Sequence, residues 1–435
     1  MKLANIRHLV RPLPELRPVE SGFWNAAVPS VCVVALQQHM GGRLTPEVRV
    51  GDTVREGSVI ASGGGRFSSL VHAPIPGTIV ETGTMQMADG RESEAVSISL
   101  AGEFDRLGKV PAAHRWHDLD APRILSLIRE GGVVCTGRTG LPVYALLIRR
   151  HVSETPRIIL DLVETEPYVR AEFEVANTLT AKVLEGLEIA KKITGAEEVS
   201  VVLQRKRKRS ARKLQKTVAG FGYTVRFCSD SYSAGLDHQL TAAAFGIRLL
   251  TDQKALDRNI FVLNATTSLA IYESVVLRKP QIDRVVTVAG GAVKRPANVR
   301  VRIGASVADI IEECGGLLSE PAAIILGGPL TGRRVRNINA PITKRDSAIL
   351  ALTAQEMYAA QSLPCVGCGA CVRSCPVALD PIFLTRLIQT GRDEQALESG
   401  LNRCTECGLC SHVCPSRVPL ADRIREARIA ARGVA

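Results

Sequence analysis

The chain falls into four tracts according to how apolar and polar positions alternate. Over residues 27–100, valines and isoleucines alternate with polar residues, and Gly/Pro turns interrupt at short intervals, which predicts short half-buried strands. Residues 120–250 alternate helical and strand signals. The amphipathic segment Arg123–Glu130 runs into Gly131-Gly-Val-Val-Cys135, a helix end and turn. Arg157-Ile-Ile-Leu-Asp-Leu-Val163 is an apolar run that predicts a buried parallel strand, and Thr178–Thr194 places Leu179, Val183, Leu187 and Ala190 on one helical face. Val199–Leu203 and Thr224–Phe227 are further strands, with a basic run between them that opens a helix. Strand and helix alternating in this way predict an α/β unit with parallel pairing. Within 283–350, Val285–Gly290, Val299–Gly304 and Ala323–Pro329 are strands around a short helix, Val307–Cys314. From 355 onward the pattern is helical. Met357-Tyr-Ala-Ala360 precedes a cysteine run, and Asp380–Glu398 bridges it to a second.

At 435 residues the chain is too long for one core. Val48–Gly57 and Val71–Val80 resemble the two halves of a barrel-sandwich hybrid of the biotinyl/lipoyl type. Carriers of that type modify a lysine at a hairpin tip. No lysine occurs between Lys2 and Lys109, so carriage is excluded and a structural or docking role remains. The 283–350 tract resembles a β-grasp module. The expected organisation is α/β and α+β multidomain: a barrel-sandwich hybrid over 1–115, an α/β domain over 116–275, a β-grasp over 276–352 and a helical cysteine-rich domain over 353–435.

No stretch of about 18 uninterrupted apolar residues is present, so no transmembrane helix is expected. The first residues, MKLANIRHLVRPLPELRP, lack the apolar region of a signal peptide, which predicts that the chain stays in the cytoplasm. The net charge of +12 admits nucleic acid, an anionic membrane surface or an acidic protein as partner. The densest charge, Arg205-Lys-Arg-Lys-Arg209 with Arg212 and Lys213, reads most simply as a solvated helix face. Few aromatics are interleaved with it, which argues against nucleic acid.

Twelve cysteines change the picture. Cys32, Cys135, Cys228 and Cys314 are scattered and read as buried small hydrophobes. The other eight form Cys365-Val-Gly-Cys368-Gly-Ala-Cys371-Val-Arg-Ser-Cys375-Pro and Cys404-Thr-Glu-Cys407-Gly-Leu-Cys410-Ser-His-Val-Cys414-Pro. Both match C-x2-C-x2-C-x3-C-P, the spacing of two-cluster ferredoxins, in which the fourth cysteine ligates the other cube. One [4Fe–4S] cluster is therefore expected on Cys365, Cys368, Cys371 and Cys414, and the other on Cys404, Cys407, Cys410 and Cys375. A zinc site would need only four ligands in two spaced pairs. No open iron position with a base beside it is evident, so the module is expected to relay electrons.

A relay needs a donor. Gly132-Val-Val-Cys-Thr-Gly137-Arg-Thr-Gly140-Leu-Pro142 is a glycine-bearing loop leading into a helix, whose amides suit phosphate, although an ordinary turn explains it as well. Glu164 and Glu166 follow a strand at i and i+2 before Pro167 and suit ribose hydroxyls, with a solvated loop as the bland alternative. Asn264 follows the apolar strand ending Phe261-Val-Leu. The residues name no catalytic side chain.

Nearly end to end, the chain resembles the RnfC family, the C subunits of the Rnf-type ion-translocating electron transport complex, and through it the flavin-bearing component of respiratory NADH dehydrogenase. The resemblance is carried by Gln38-His-Met-Gly-Gly42, by Glu164-Thr-Glu-Pro-Tyr168 and by Arg284–Gly290 through Pro296-Ala-Asn298. Gly327-Gly-Pro329 and the two cysteine runs complete it. It implies FMN and NADH bound in the middle domain, a soluble-ligand-binding-type (SLBB-like) β-grasp, and a place among the membrane subunits of such a complex, an iron–sulfur partner included. It implies peripheral attachment to the cytoplasmic side of the cell membrane.

The glycine loop departs from the family's G-V-V-G-x-G-G-A-G-F-P-T. Cys135 and Arg138 replace glycines, Leu141 the phenylalanine and Val143 the threonine, while Leu146 stands where lysine is usual. Gly235-Leu-Asp-His-Gln-Leu240 stands for G-G-E-K-Q-L. These departures predict weakened FMN and NADH binding, restored by glycine at 135 and 138. A soluble corrin reductase of the microcompartment type shares most of these domains, but with the glycine loop near the N-terminus and the barrel segment late. A third reading is a scaffold whose clusters serve only the fold.

Overall fold

A computed structural model describes residues 19–433, apart from 66, 138–139, 149–153, 251–252 and 358–361. Four sheets organise it. The N-terminal barrel-sandwich hybrid pairs a four-stranded sheet (Val31–Ala35, Glu92–Leu100, Gly77–Gln86, Thr53–Val54) with a three-stranded one (Thr45–Pro46, Val59–Ser62, Val71–His72). Cys32, Val34, Ile60, Ile79, Val96 and Ile98 fill the space between them.

The middle domain is a parallel sheet in the order Thr224–Cys228, Glu198–Gln204, Arg157–Leu162, Ile260–Asn264. Both faces are covered, as the unbroken apolar runs require. Ile158, Leu160 and Leu162 face the largest core, whereas Ile159 and Val163 face a second. Helix Thr180–Thr194 buries Val183, Leu187 and Ala190 as its period predicts, and ends at Gly195 with φ +69°. Its Gly186 lets the backbone of helix Ala265–Val275 approach, since a Cβ there would lie 1.9 Å from the Ser268 carbonyl oxygen.

Between Glu198–Gln204 and Thr224–Cys228 the basic run does not open a helix directly. Arg205–Arg207 make one 3-10 turn and the helix begins at Arg212. Most of the run is exposed, but Arg207 folds inward over the Phe173 ring, 4.4 Å from its centroid. The run is thus a solvated face with one side chain turned into the domain.

The β-grasp sheet has six strands, ordered Trp24–Asn25, Ala297–Arg302, Asp283–Ala289, Ala348–Leu352, Ala323–Leu326, Arg333–Arg334. Three of its strands, Trp24–Asn25, Arg333–Arg334 and Ala348–Leu352, are not among those expected above. Ala348–Leu352 is buried throughout and lies in the sheet's interior, and Trp24–Asn25 arrives from far up the chain to pair with Ala297–Arg302. The C-terminal domain packs helices Pro381–Gln389, Asp393–Glu398 and Leu420–Gly433 around Leu384, Leu387, Leu401 and Ile424. Cys32, Cys135, Cys228 and Cys314 are all buried. Of the segment before the first cysteine run, 358–360 lie outside the described residues.

The domains are locked by a largely buried ion network, its side chains 0–20% exposed. Arg300 pairs with Glu273 and with Asp283 (2.8 Å), Lys279 with Asp283 (2.6 Å) and Glu273 (2.9 Å), and Arg302 with Glu56 (2.7 Å). Glu56 belongs to the barrel, Glu273 to the middle domain and Asp283 to the β-grasp. Burial pushes the Asp283 carboxyl up, but Arg300, Lys279 and Arg302 overcome it and hold the group well below the usual carboxylate range.

Candidate iron–sulfur and nucleotide sites

Each cysteine run forms a loop followed by a short helix, Ala370–Ser374 or Leu409–His412. The turn into each helix needs a left-handed residue, supplied by Gly369 (φ +68°) and Gly408 (φ +75°). Backbone amides aim at the sulfurs. The Gly367 N–H donates to Cys365 Sγ and the Glu406 N–H to Cys404 Sγ, both at 3.4 Å; the Leu379 N–H donates to Cys375 Sγ at 3.3 Å. The same i to i+2 amide-to-sulfur contact at the first cysteine of both runs reflects their repeated sequence.

The two runs lie against each other. Burial pushes the Cys404 thiol up to about 11, with Cys407 and Cys375 as neighbours pushing the same way. Burial likewise pushes Cys410 up to about 12, with Cys404, Cys407 and Cys375 beside it. Cys375 thus shares its surroundings with the second run, although it belongs to the first. Cys371, Cys410 and Cys414 pack on Val418 and Leu420. Among the described residues no three His, Cys, Asp or Glu side chains are grouped closely enough to hold a metal ion. Eight thiols with amides donated to sulfur suit, by their chemistry and spacing, two cubes in which each iron would take one thiolate.

The nucleotide candidates lie at the carboxyl edge of the parallel sheet, where ligands of open α/β sheets bind. Gly137 has φ +83° and open space where a Cβ would stand; Gly140 has φ +57°, and a Cβ there would meet the Arg345 side chain at 2.8 Å. Thr136 anchors the loop beside Gly137. Its hydroxyl lies 3.0 Å from Asn264 Oδ1, and its N–H donates to Thr267 Oγ1 at 3.2 Å. Asn264 Oδ1 also accepts from the Thr267 N–H at 2.9 Å, capping helix Ala265–Val275. Thr266 donates to Glu172 through its amide (2.8 Å) and its hydroxyl (2.6 Å), and the Glu172 amide donates to Glu164 Oε1 at 2.8 Å. One polar network therefore joins Gly137's loop, Asn264 and Glu164.

Glu164 is buried, with Arg207 3.6 Å away and, among the described residues, no hydrogen-bond partner for Oε2. Burial pushes its carboxyl up to about 8, and Arg207 offsets this only in part. Glu166 lies apart from this network. It accepts from the Leu330 N–H (3.1 Å), the Thr331 N–H (3.0 Å) and the Thr331 hydroxyl (2.6 Å). Its carboxylate fastens the β-grasp turn to the middle domain and is already satisfied by protein donors.

Cys135 is the buried small hydrophobe its scattered position predicts, and this corrects its reading as an obstruction in the loop. Its side chain packs into the main core. Arg138 lies outside the described residues. The scaffold is similar to that of a nucleotide site, but Asn264 and Glu166 are engaged by the protein's own groups.

Lys344 escapes the sequence patterns altogether. It is buried, and its side-chain nitrogen donates to the carbonyls of Gly132 (2.7 Å) and Leu70 (3.0 Å), behind the glycine loop. A lone lysine carries no spacing signal; only packing reveals it.

These features have counterparts in known proteins. Residues 19–103 match the RnfC barrel sandwich hybrid domain, 128–273 the Nuo51 FMN-binding domain, 285–334 the SLBB domain and 364–418 the 4Fe-4S dicluster domain. The chain is 31% identical over 373 residues to the C subunit of the proton-translocating ferredoxin:NAD(+) oxidoreductase complex of Clostridium ljungdahlii, covering 86% of this chain and 82% of that one. It is 31% identical over 378 residues to the C subunit of the ion-translocating oxidoreductase complex of Rhodobacter capsulatus, covering 86% and 73%. It is 28% identical over 362 residues to the C subunit of the Na(+)-translocating ferredoxin:NAD(+) oxidoreductase complex of Acetobacterium woodii, covering 83% and 82%. Among solved structures, an air-oxidised NAD+-reducing [NiFe]-hydrogenase shares the fold, with TM-score 0.50 and 14% identity over 72% of this chain and 66% of that one. The identity and its extent, in the same four-domain frame, place the chain in the RnfC family, the C subunits of the Rnf-type ion-translocating oxidoreductase complexes.

Proposed function

We propose that this chain carries electrons between the carboxyl edge of its α/β sheet and the membrane subunits of an Rnf-type complex, through two [4Fe–4S] clusters in series. The inner cluster takes Cys404, Cys407, Cys410 and Cys375; the outer takes Cys365, Cys368, Cys371 and Cys414. The observation that carries this order is the seat of the second loop. Cys407 is buried, and its carbonyl accepts from the Tyr232 hydroxyl of the middle domain at 2.7 Å. Cys365 and Cys368 are exposed on the first loop, as are Leu363 and Val366, and Phe383 is exposed on the following helix Pro381–Gln389; this exposed apolar and cysteine surface suits an iron–sulfur partner.

The clusters supply the one-electron steps. The chain's own residues hold them, donate amides to their sulfurs and exclude water from the inner one. A ferredoxin:NAD(+) couple, named for the relatives, is the natural exchange. Among the described residues no helix is long and apolar enough to cross a membrane. The net charge of +12 supports peripheral attachment on the cytoplasmic face, through partner subunits and basic surface.

Anaerobic purification with iron, sulfide and flavin analysis tests the reading. About eight irons and eight sulfides per chain are expected. Zinc with little iron would end it.

A further inference from the structure

Glu166 and Tyr232 are absorbed neither by the nucleotide network nor by the cluster ligands, yet they meet where the middle domain and the second cysteine loop approach each other. Tyr232 stands in a 3-10 turn, Tyr232–Gly235, beyond the carboxyl end of strand Thr224–Cys228. Its hydroxyl donates to the Cys407 carbonyl at 2.7 Å and lies 3.2 Å from Glu166 Oε1. Glu166 in turn gathers the amides of Leu330 and Thr331. The next residue of the cluster loop, Gly408, rests on that turn so closely that a Cβ would come 2.3 Å from the Leu330 carbonyl oxygen. Leu236 and Leu409 close the contact as a small buried cluster with Cys407. The phenol's one proton thus has two acceptors, the nearer Cys407 carbonyl and the Glu166 carboxylate, and the contact links the middle domain, the β-grasp turn and the second cysteine loop.

We propose that Tyr232 is a positioning residue for electron transfer, held by Glu166, that seats the inner-cluster loop against the carboxyl edge of the α/β sheet. The proposal rests on the reading of Cys404, Cys407, Cys410 and Cys375 as the inner cluster. Electron transfer falls off steeply with distance, and a buried hydrogen bond fixes its partners more sharply than apolar contact does. The phenol donates to the backbone carbonyl of Cys407, so its dipole sits close to the loop that would hold the inner cluster, and its removal should favour the oxidised cluster.

The test compares the full chain, purified anaerobically, with Tyr232→Phe and Glu166→Gln. Phenylalanine keeps the ring and its packing and loses only the hydroxyl. Redox titration followed by electron paramagnetic resonance reads the two clusters separately, and hydrogen exchange reads the amides of 405–409. Both variants are expected to retain full iron. In Tyr232→Phe the inner-cluster reduction equilibrium should shift at least about threefold toward the oxidised form, with exchange in 405–409 faster by about tenfold or more and the outer cluster unmoved. An unchanged inner-cluster titration and unchanged exchange in Tyr232→Phe would overturn the proposal. Absence of cluster signals from the unmodified chain would instead overturn the underlying cluster reading, so the two failures are distinct.

Discussion

The side-chain nitrogen of Lys344 sits 2.7 Å from the carbonyl oxygen of Gly132 and 3.0 Å from that of Leu70. One residue of the β-grasp domain therefore ties the start of the glycine loop to the barrel. A neutral amine has two N–H donors, and these are the two acceptors it meets; an ammonium would bring a third. Burial accordingly pulls the group down to about 7. The nearby imidazoles are held low as well, His39 at about 4 and His72 at about 3, first by burial and then by the charge of Lys344.

Lys344 should tilt stability with pH. In the folded chain it loses its proton near pH 7, whereas the unfolded chain keeps it into the ordinary lysine range. Between those limits the unfolded state binds more protons, so stability rises with pH from about 7 up to the ordinary lysine range, and this group adds no further pH dependence below about 7. Urea unfolding of Lys344→Met from pH 6 to 10 should show that rise removed. An unchanged slope would mean that Lys344 is charged in the fold.

Cys375→Ser should damage the cluster held mainly by Cys404, Cys407 and Cys410, because its thiol lies with theirs. Site-resolved magnetic spectra showing loss confined to the cluster of Cys365, Cys368 and Cys371 would contradict the crossed ligation.

Arg300→Met removes one of the two cations that Glu273 and Asp283 share and leaves Lys279 paired with both. A loss of about 1–3 kcal/mol is expected, below the range for a buried charge left with no partner. Asp283 is held below the usual carboxylate range in the fold. Its contribution is therefore present above that range and lost as pH falls through its folded value. The variant should unfold in acid with a shallower pH dependence than the parent. Calorimetry from pH 7 down to about pH 2 reads both effects.

FMN should bind weakly to the unmodified chain, as titration by fluorescence quenching would show. Arg138→Gly should tighten binding if the added side chain obstructs the loop. Cys135→Gly should not, because its side chain fills the main core; it should instead cost about 1–3 kcal/mol through the space left behind. Tight, stoichiometric binding by the unmodified chain would refute the weakened site.

Much of this molecule is local, and what is local is legible in the sequence. The cysteine spacing specifies two cubes because three thiols on one loop and a fourth on the next turn are fixed by a dozen consecutive residues. The apolar period of Arg157–Leu162 and of Thr180–Thr194 specifies strand and helix because burial follows side-chain direction. The same reasoning overreaches where a side chain's partner lies far along the chain. Glu166 reads as a ribose ligand from its neighbours, but its partners, Leu330 and Thr331, are 164 and 165 residues away. Cys135 reads as an obstructed glycine within its loop, but the fold turns it inward. Arg207 reads as solvated, but it covers Phe173. Lys344 has no motif at all; its acceptors lie 212 and 274 residues away. A hydrogen bond across domains depends on where two surfaces come to rest, and that is decided by the packing of whole sheets, which no local window contains.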